Sequence, residues 1–148
     1  MSAAQSEWGV LVADGVKRPA SVVVAAVLVF VAGAIDIISG AYLLVQPDAP
    51  EIEATFGGPD GVRGVAIGSI VVGAILLVLA YGVFRGNWVA RMIVTVLEAL
   101  SLISSLFLAV AYLGTAVGEW LGVFISAIIL ILLWSRAAAA YFGKTARS

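Results

Sequence analysis

VRGVAIGSIVVGAILLVLAYGVF, residues 62–84, decides the fold of this chain. After Arg63 the stretch holds no charged residue. A helix needs about 20 mostly apolar residues to cross a bilayer, and a helix on a soluble domain would keep one polar face. The apolar residues run on without alternating, so a barrel strand does not fit. Working outward, three more stretches read the same way. They cover about 19–45, broken only by Asp36; about 88–113, containing Glu98; and about 118–142, with Glu119 at its start and Arg136 near its end. The first is longer than the apolar part of a cleaved signal peptide and is read as a retained span.

Composition agrees. The chain has 148 residues, of which 63% are hydrophobic and 11% charged, whereas soluble domains carry roughly a quarter charged residues. Lipid must therefore be most of its solvent. Cysteine and histidine are both absent, which removes disulfides, thiolate nucleophiles, histidine triads and the commonest zinc ligands. A net charge of −1 offers no basic surface to nucleic acid. No catalytic residue, cofactor or metal site is expected. The expected partners are the bilayer and either a second copy of the chain or another membrane protein.

Orientation follows from the basic residues. With the N-terminus inside, Lys17, Arg18, Arg85, Arg91, Arg136, Lys144 and Arg147 face the cytoplasm and only Arg63 lies outside. Cytoplasmic segments concentrate Lys and Arg. Tyr42, Tyr112 and Trp120 then fall at the outer ends of the spans, and Tyr81, Trp88, Trp134 and Tyr141 at the inner ends, where amphipathic rings prefer to sit. The reading is an all-α, four-span up-down bundle in the plasma membrane. Residues 1–18 form a cytoplasmic N-terminal tail, lying on the membrane surface or loose, and residues 143–148 a C-terminal one. The acidic segment 46–61 is rich in Pro and Gly and reads as an irregular external loop. It has oxygen ligands for a divalent cation but no EF-hand spacing, so a solvated loop is the better reading.

Small residues recur within the spans. Gly64 and Gly68 form a GxxxG followed by Ser69 and Gly73, and Gly118, Gly122 and Ser126 repeat the pattern in the last span. Small residues let helix backbones approach closely in lipid, so these positions read as packing within the bundle or as a homo-oligomer face. Val31 to Ile35 recurs as Val71 to Ile75 with one change. The two helices run in opposite directions, and in so apolar a chain coincidence accounts for five residues.

Charges within spans carry the most information, because a carboxylate at mid-membrane costs roughly 2.5–3.5 kcal/mol. Arg91, Thr95, Glu98 and Ser105, with Ser101 beside them, line one face of the third span. Arg136 lies at similar depth on the fourth, so a Glu98–Arg136 pair is the first expectation. Asp36 and Arg63 form a second expected pair in the outer half. The other reading of Glu98 and Asp36 is a titrating group on an ion path.

The segment Arg85-Gly86-Asn87-Trp88-Val89-Ala90-Arg91 and the tail from Ser135-Arg136 to Tyr141-Phe142 resemble small four-helix membrane proteins widespread in actinobacteria. In those proteins the second turn reads approximately RGxxWAR. The resemblance covers 22–142; it implies the same topology and supplies no chemistry. Two function classes follow. The first is a non-enzymatic accessory, scaffold or assembly subunit, since no base–nucleophile pair stands at a recognisable spacing. The second is a small oligomeric proton- or cation-coupled transporter using Glu98 or Asp36. Small multidrug resistance proteins place their essential glutamate in the first helix, where this chain has Asp36.

Overall fold

The computed structural model describes residues 17–46, 50–111 and 117–147. Residues 1–16 of the expected tail 1–18, the outer turn around Gly114 and the surroundings of Gly118 and Glu119 lie outside the described residues. Among the described residues six helices follow in order: α1 Ala20–Val45, α2 Pro50–Phe56, α3 Pro59–Phe84, α4 Trp88–Ala111, α5 Val117–Leu133 and α6 Arg136–Thr145. Three of them, α1, α3 and α4, are long and apolar enough to cross a membrane, and α5 with α6 makes a fourth if that bent pair is one span. The outer surface is apolar, with Val78 71%, Phe107 73% and Ile131 70% exposed. An apolar surface this extensive needs a lipid or protein cover.

The helices form two antiparallel pairs. α1 packs most extensively on α3, and α4 on α5; α1 also meets α5, and α3 meets α4. The first pair is closed by small residues. A Cβ added to Gly33 would lie 2.8 Å from the Gly73 carbonyl oxygen, and one added to Gly73 2.5 Å from that of Gly33. Seven residues along each helix, a Cβ on Gly40 would lie 2.5 Å from the Ala66 carbonyl oxygen. Seven residues in the other direction, Ala26 and Ala80 are both buried. A spacing of seven keeps all three positions on one helix face. The glycines at the centre of the two similar pentamers are thus the crossing point of α1 and α3, which coincidence would not have required.

Two expected boundaries change. The segment 46–61 is not wholly irregular, because it contains α2. Pro50 and Pro59 occupy first-turn positions, where proline loses no hydrogen bond. Gly57 and Gly58 have φ of 79° and 100°, and the Gly58 amide donates to the Glu53 carbonyl at 2.7 Å, which closes α2 in a Schellman-type end. α3 therefore starts at Pro59 rather than near Val62.

The stretch 118–142 is likewise not one helix. α5 ends at Leu133, and α6 leaves it at 58°. Ser135 is the cause: in extended conformation, it N-caps α6, accepting from the Ala138 amide at 3.3 Å. Its hydroxyl also lies 2.9 Å from the Leu132 carbonyl oxygen and 3.1 Å from the Ser21 hydroxyl. α6 then folds against the α3–α4 turn. Thr145 donates to the Gly86 carbonyl at 2.7 Å, and Tyr141 and Phe142 are buried. The turn itself is fixed by Gly86, with φ 78°, and by the Asn87 side chain, whose oxygen accepts from the amides of Val89 and Ala90 at 2.9 and 3.2 Å. The core, from Val22, Val29, Val83, Val94, Leu133 and Phe142, gathers at this end.

Candidate functional site

Among the described residues three polar side chains are buried: Arg91 at 5% exposure, Glu98 at 6% and Ser126 at 4%. All three lie at the α4–α5 seam, where α4 turns its polar stripe toward α5. Gly122 stands opposite Ser105, leaving room for a Cβ only 3.0 Å from the Ser105 hydroxyl. One turn along, the Ser126 and Ser101 hydroxyls are 3.5 Å apart, with the Glu98 carboxyl group near Ser126. Two turns further, Trp134 Nε1 donates to Thr95 Oγ1 at 3.2 Å, and Thr95 in turn donates to the Arg91 carbonyl at 2.8 Å. Thr95, Ser101 and Ser105 of α4 thus each meet a small or donating residue across the seam, as a polar stripe in an apolar bundle favours.

Neither expected ion pair forms among the described residues. Arg136 opens α6, exposed, on the far side of the Ser135 break. The change of helix direction at Ser135 takes its side chain off the face that α5 presents to Glu98. Arg63 is also exposed, while Asp36 packs beside Gly73, its Cβ 3.0 Å from where a Cβ there would sit. Gly73 is ten residues from Arg63, roughly 15 Å along α3, beyond the reach of a direct pair. Asp36 instead lies within electrostatic range of Glu98, although α1 and α4 do not pack directly on one another. Neither acidic residue of the first and third spans has an arginine partner among the described residues.

Arg91 has a different environment. Its guanidinium carbon lies 4.2 Å from the Trp134 ring centroid and 5.0 Å from that of Phe142. Stacking on aromatic faces stabilises a desolvated cation by about 2 kcal/mol. Its Nε and Nη2 are buried with no hydrogen-bond partner; these share the guanidinium edge that grips carboxylates bidentately. Arg91 and Glu98 are on one face of α4 but separated by about 10 Å of helix. Sequence reasoning missed the two rings. The bend that brings Phe142 back to α4 rests on Ser135, whose capping role was legible only in the Ser-Arg-Ala-Ala pattern.

The glycines sort into two groups. Gly73 and Gly122 are at helix contacts, whereas Gly64 and Gly68 have nothing within 4 Å of where a Cβ would sit and face outward from the bundle. Among the described residues no three acidic side chains converge as a metal cage would need.

Residues 21–138 match the family model described as "Domain of unknown function (DUF7144)". The chain belongs to the DUF7144 family. No curated protein and no solved structure matches the chain. The matched region runs from the start of α1 into α6, so it takes in Asp36, Arg91, Glu98, Ser126 and the Ser135 bend.

Proposed function

We propose that this DUF7144 chain is a small plasma-membrane carrier, both ends cytoplasmic, in which the Glu98 and Asp36 carboxyl groups bind a proton or a monovalent cation during transport. One observation carries this reading: Asp36 and Glu98 lie within electrostatic range of one another inside the spans, while the arginines expected to neutralise them, Arg63 and Arg136, are exposed elsewhere. Two ionised carboxylates in an apolar interior repel one another and lack hydration. A proton or cation held between them relieves both penalties. Ser126 supplies a donor near the Glu98 carboxyl. The chain is read as a non-enzyme, since these groups provide no nucleophile with its base. The distribution of basic residues and the actinobacterial resemblance support the membrane and the orientation.

Infrared difference spectra of the purified protein in lipid test this directly. The expected result is a carboxyl band that responds to pH and vanishes in Glu98→Gln, with a pH- or cation-gradient-driven flux in proteoliposomes lost in the same variant. A flux that persists undiminished in Glu98→Gln would overturn the assignment. A second reading, the accessory or assembly subunit, is favoured by the outward Gly64 and Gly68, which leave a face of α3 smooth enough for another helix. Self-association measured in nanodiscs, lost in Gly68→Leu, would support that role.

A further inference from the structure

We propose that the groove between α1 and α3 is a binding site for one anionic phospholipid of the inner leaflet, its acyl chain in the groove and its phosphate between Arg18 and Arg85. The inference rests on the membrane orientation above but not on the carboxyl pair. The groove holds about 270 Å³ and is lined by Val27, Phe30, Leu77, Ala80, Tyr81 and Phe84. Small residues create it: Ala80 stands opposite Ala26 at the seven-residue spacing that brings α1 and α3 together, and larger side chains rise on either side. It runs from the basic end of the bundle into the apolar zone for roughly 10 Å, judged from the rise between Phe84 and Leu77. An extended hydrocarbon chain matches that shape and that lining; a polar solute does not.

The charges at its mouth decide what kind of lipid. Arg18 lies over the Phe84 ring, 4.2 Å from the centroid, and Arg85 over the Tyr81 ring at 5.5 Å. Both rings line the groove. Arg85 also donates to the Tyr81 hydroxyl at 2.7 Å, which orders its side chain at the rim. Both arginines are exposed, and neither meets a carboxylate among the described residues. Each guanidinium group stacks on a ring that lines the groove, Arg85 also lining the neighbouring cavity at the α3–α4 turn, and arginine matches phosphate geometry bidentately. A zwitterionic lipid would bring a choline or ethanolamine cation to the same rim and meet repulsion, so the site favours a net negative headgroup.

The test uses the full chain purified in a mild non-ionic detergent, with lipid retention read by native mass spectrometry. Phosphatidylglycerol and phosphatidylcholine of identical chains are offered at equal concentration. The expected outcome is a preference for phosphatidylglycerol of about tenfold, from two arginines near an anionic headgroup. The double variant Arg18→Gln, Arg85→Gln should lose that preference. Both positions are exposed, so the variant keeps its fold, which its unchanged melting temperature in phosphatidylcholine confirms. Leu77→Trp, which fills the groove, should reduce retention of both lipids. Equal retention of the two lipids by the unaltered protein would overturn the proposal, and so would a preference that survives the double substitution. Protection from melting by glycerol phosphate equal to that by phosphatidylglycerol would show a free-anion site and overturn the lipid assignment.

Discussion

The α1–α3 pair and the α4–α5 pair are both antiparallel helix pairs in one apolar bundle, and they are joined by different chemistry. In the first, backbones touch: Gly33 meets Gly73, Gly40 meets Ala66, and the contact leaves no space for a side chain. In the second, side chains mediate. Ser101 and Ser126, Thr95 and Trp134, and Glu98 with Ser126 hold hydroxyls, an indole and a carboxyl between the helices. Hydrophobic attraction is weak between helices in lipid, so van der Waals contact and interhelical hydrogen bonds are the two routes to association. Each pair of this molecule uses one of them. On the carrier reading proposed above, the division has a functional meaning: a backbone-to-backbone seam has no room for a ligand, while a seam lined by short polar side chains would exchange a proton or an ion without losing its packing.

The difference should appear most strongly when each seam is overfilled. Gly73→Leu places a Cβ within 2.5 Å of a carbonyl oxygen that cannot rotate away. It should cost about 3 kcal/mol or more and lower the melting temperature in detergent accordingly. Gly68→Leu, five residues earlier and outward-facing, should change stability by no more than about 0.5 kcal/mol. Equal effects at the two positions would show that the α1–α3 contact is not the one described. The second seam should be more forgiving. Ser126→Ala removes the donor near Glu98 while leaving packing volume nearly intact, and a loss of about 1–2 kcal/mol is expected in the same melting assay. A loss as large as that of Gly73→Leu would erase the distinction between the seams.

The helices themselves were legible because length and continuous apolarity are local properties. α4 runs from Trp88 as expected, and α1 and α3 lie within a few residues of their expected bounds. The Ser135 break was hidden because alanines and aromatic residues on its far side keep the stretch apolar, so composition alone does not register a change of direction. The site was legible in part. Asp36, Arg91 and Glu98 stand out wherever a charge interrupts a span, but which charge faces which depends on helix rotation and on crossing points. Gly33 and Gly73 set the crossing of α1 and α3, and with it the position of Asp36 beside Gly73 and toward Glu98. In an apolar chain with 16 glycines, nothing local distinguishes these two from the outward Gly64 and Gly68. Pairing each acid with the arginine nearest in depth overlooked rotation, since depth along a helix fixes only one of the two coordinates of a side chain.

The smallest expected effect concerns how the two seams meet. Asp36 belongs to α1, in the rigid pair, and Glu98 to α4, in the polar pair, so their interaction is where one seam senses the other. A double-mutant cycle with Asp36→Asn and Glu98→Gln isolates it. Each amide is close to its acid in shape and removes a charge without opening a cavity. If the carboxyls act on one another as their placement implies, the first neutralisation relieves the repulsion and the second finds less to relieve. The double variant should therefore be less stable than the sum of the single effects predicts, by about 0.5–1 kcal/mol, within the range of coupled neighbours. The cycle is measured as unfolding free energies in one detergent at a pH well above the carboxylate range, where repulsion is greatest, and repeated in acid, where protonation should shrink the coupling. Coupling that is absent at both pH values would separate the two carboxyls and leave Glu98 to act with Ser126 alone. Coupling of equal size at both would assign it to packing around Gly73 rather than to charge.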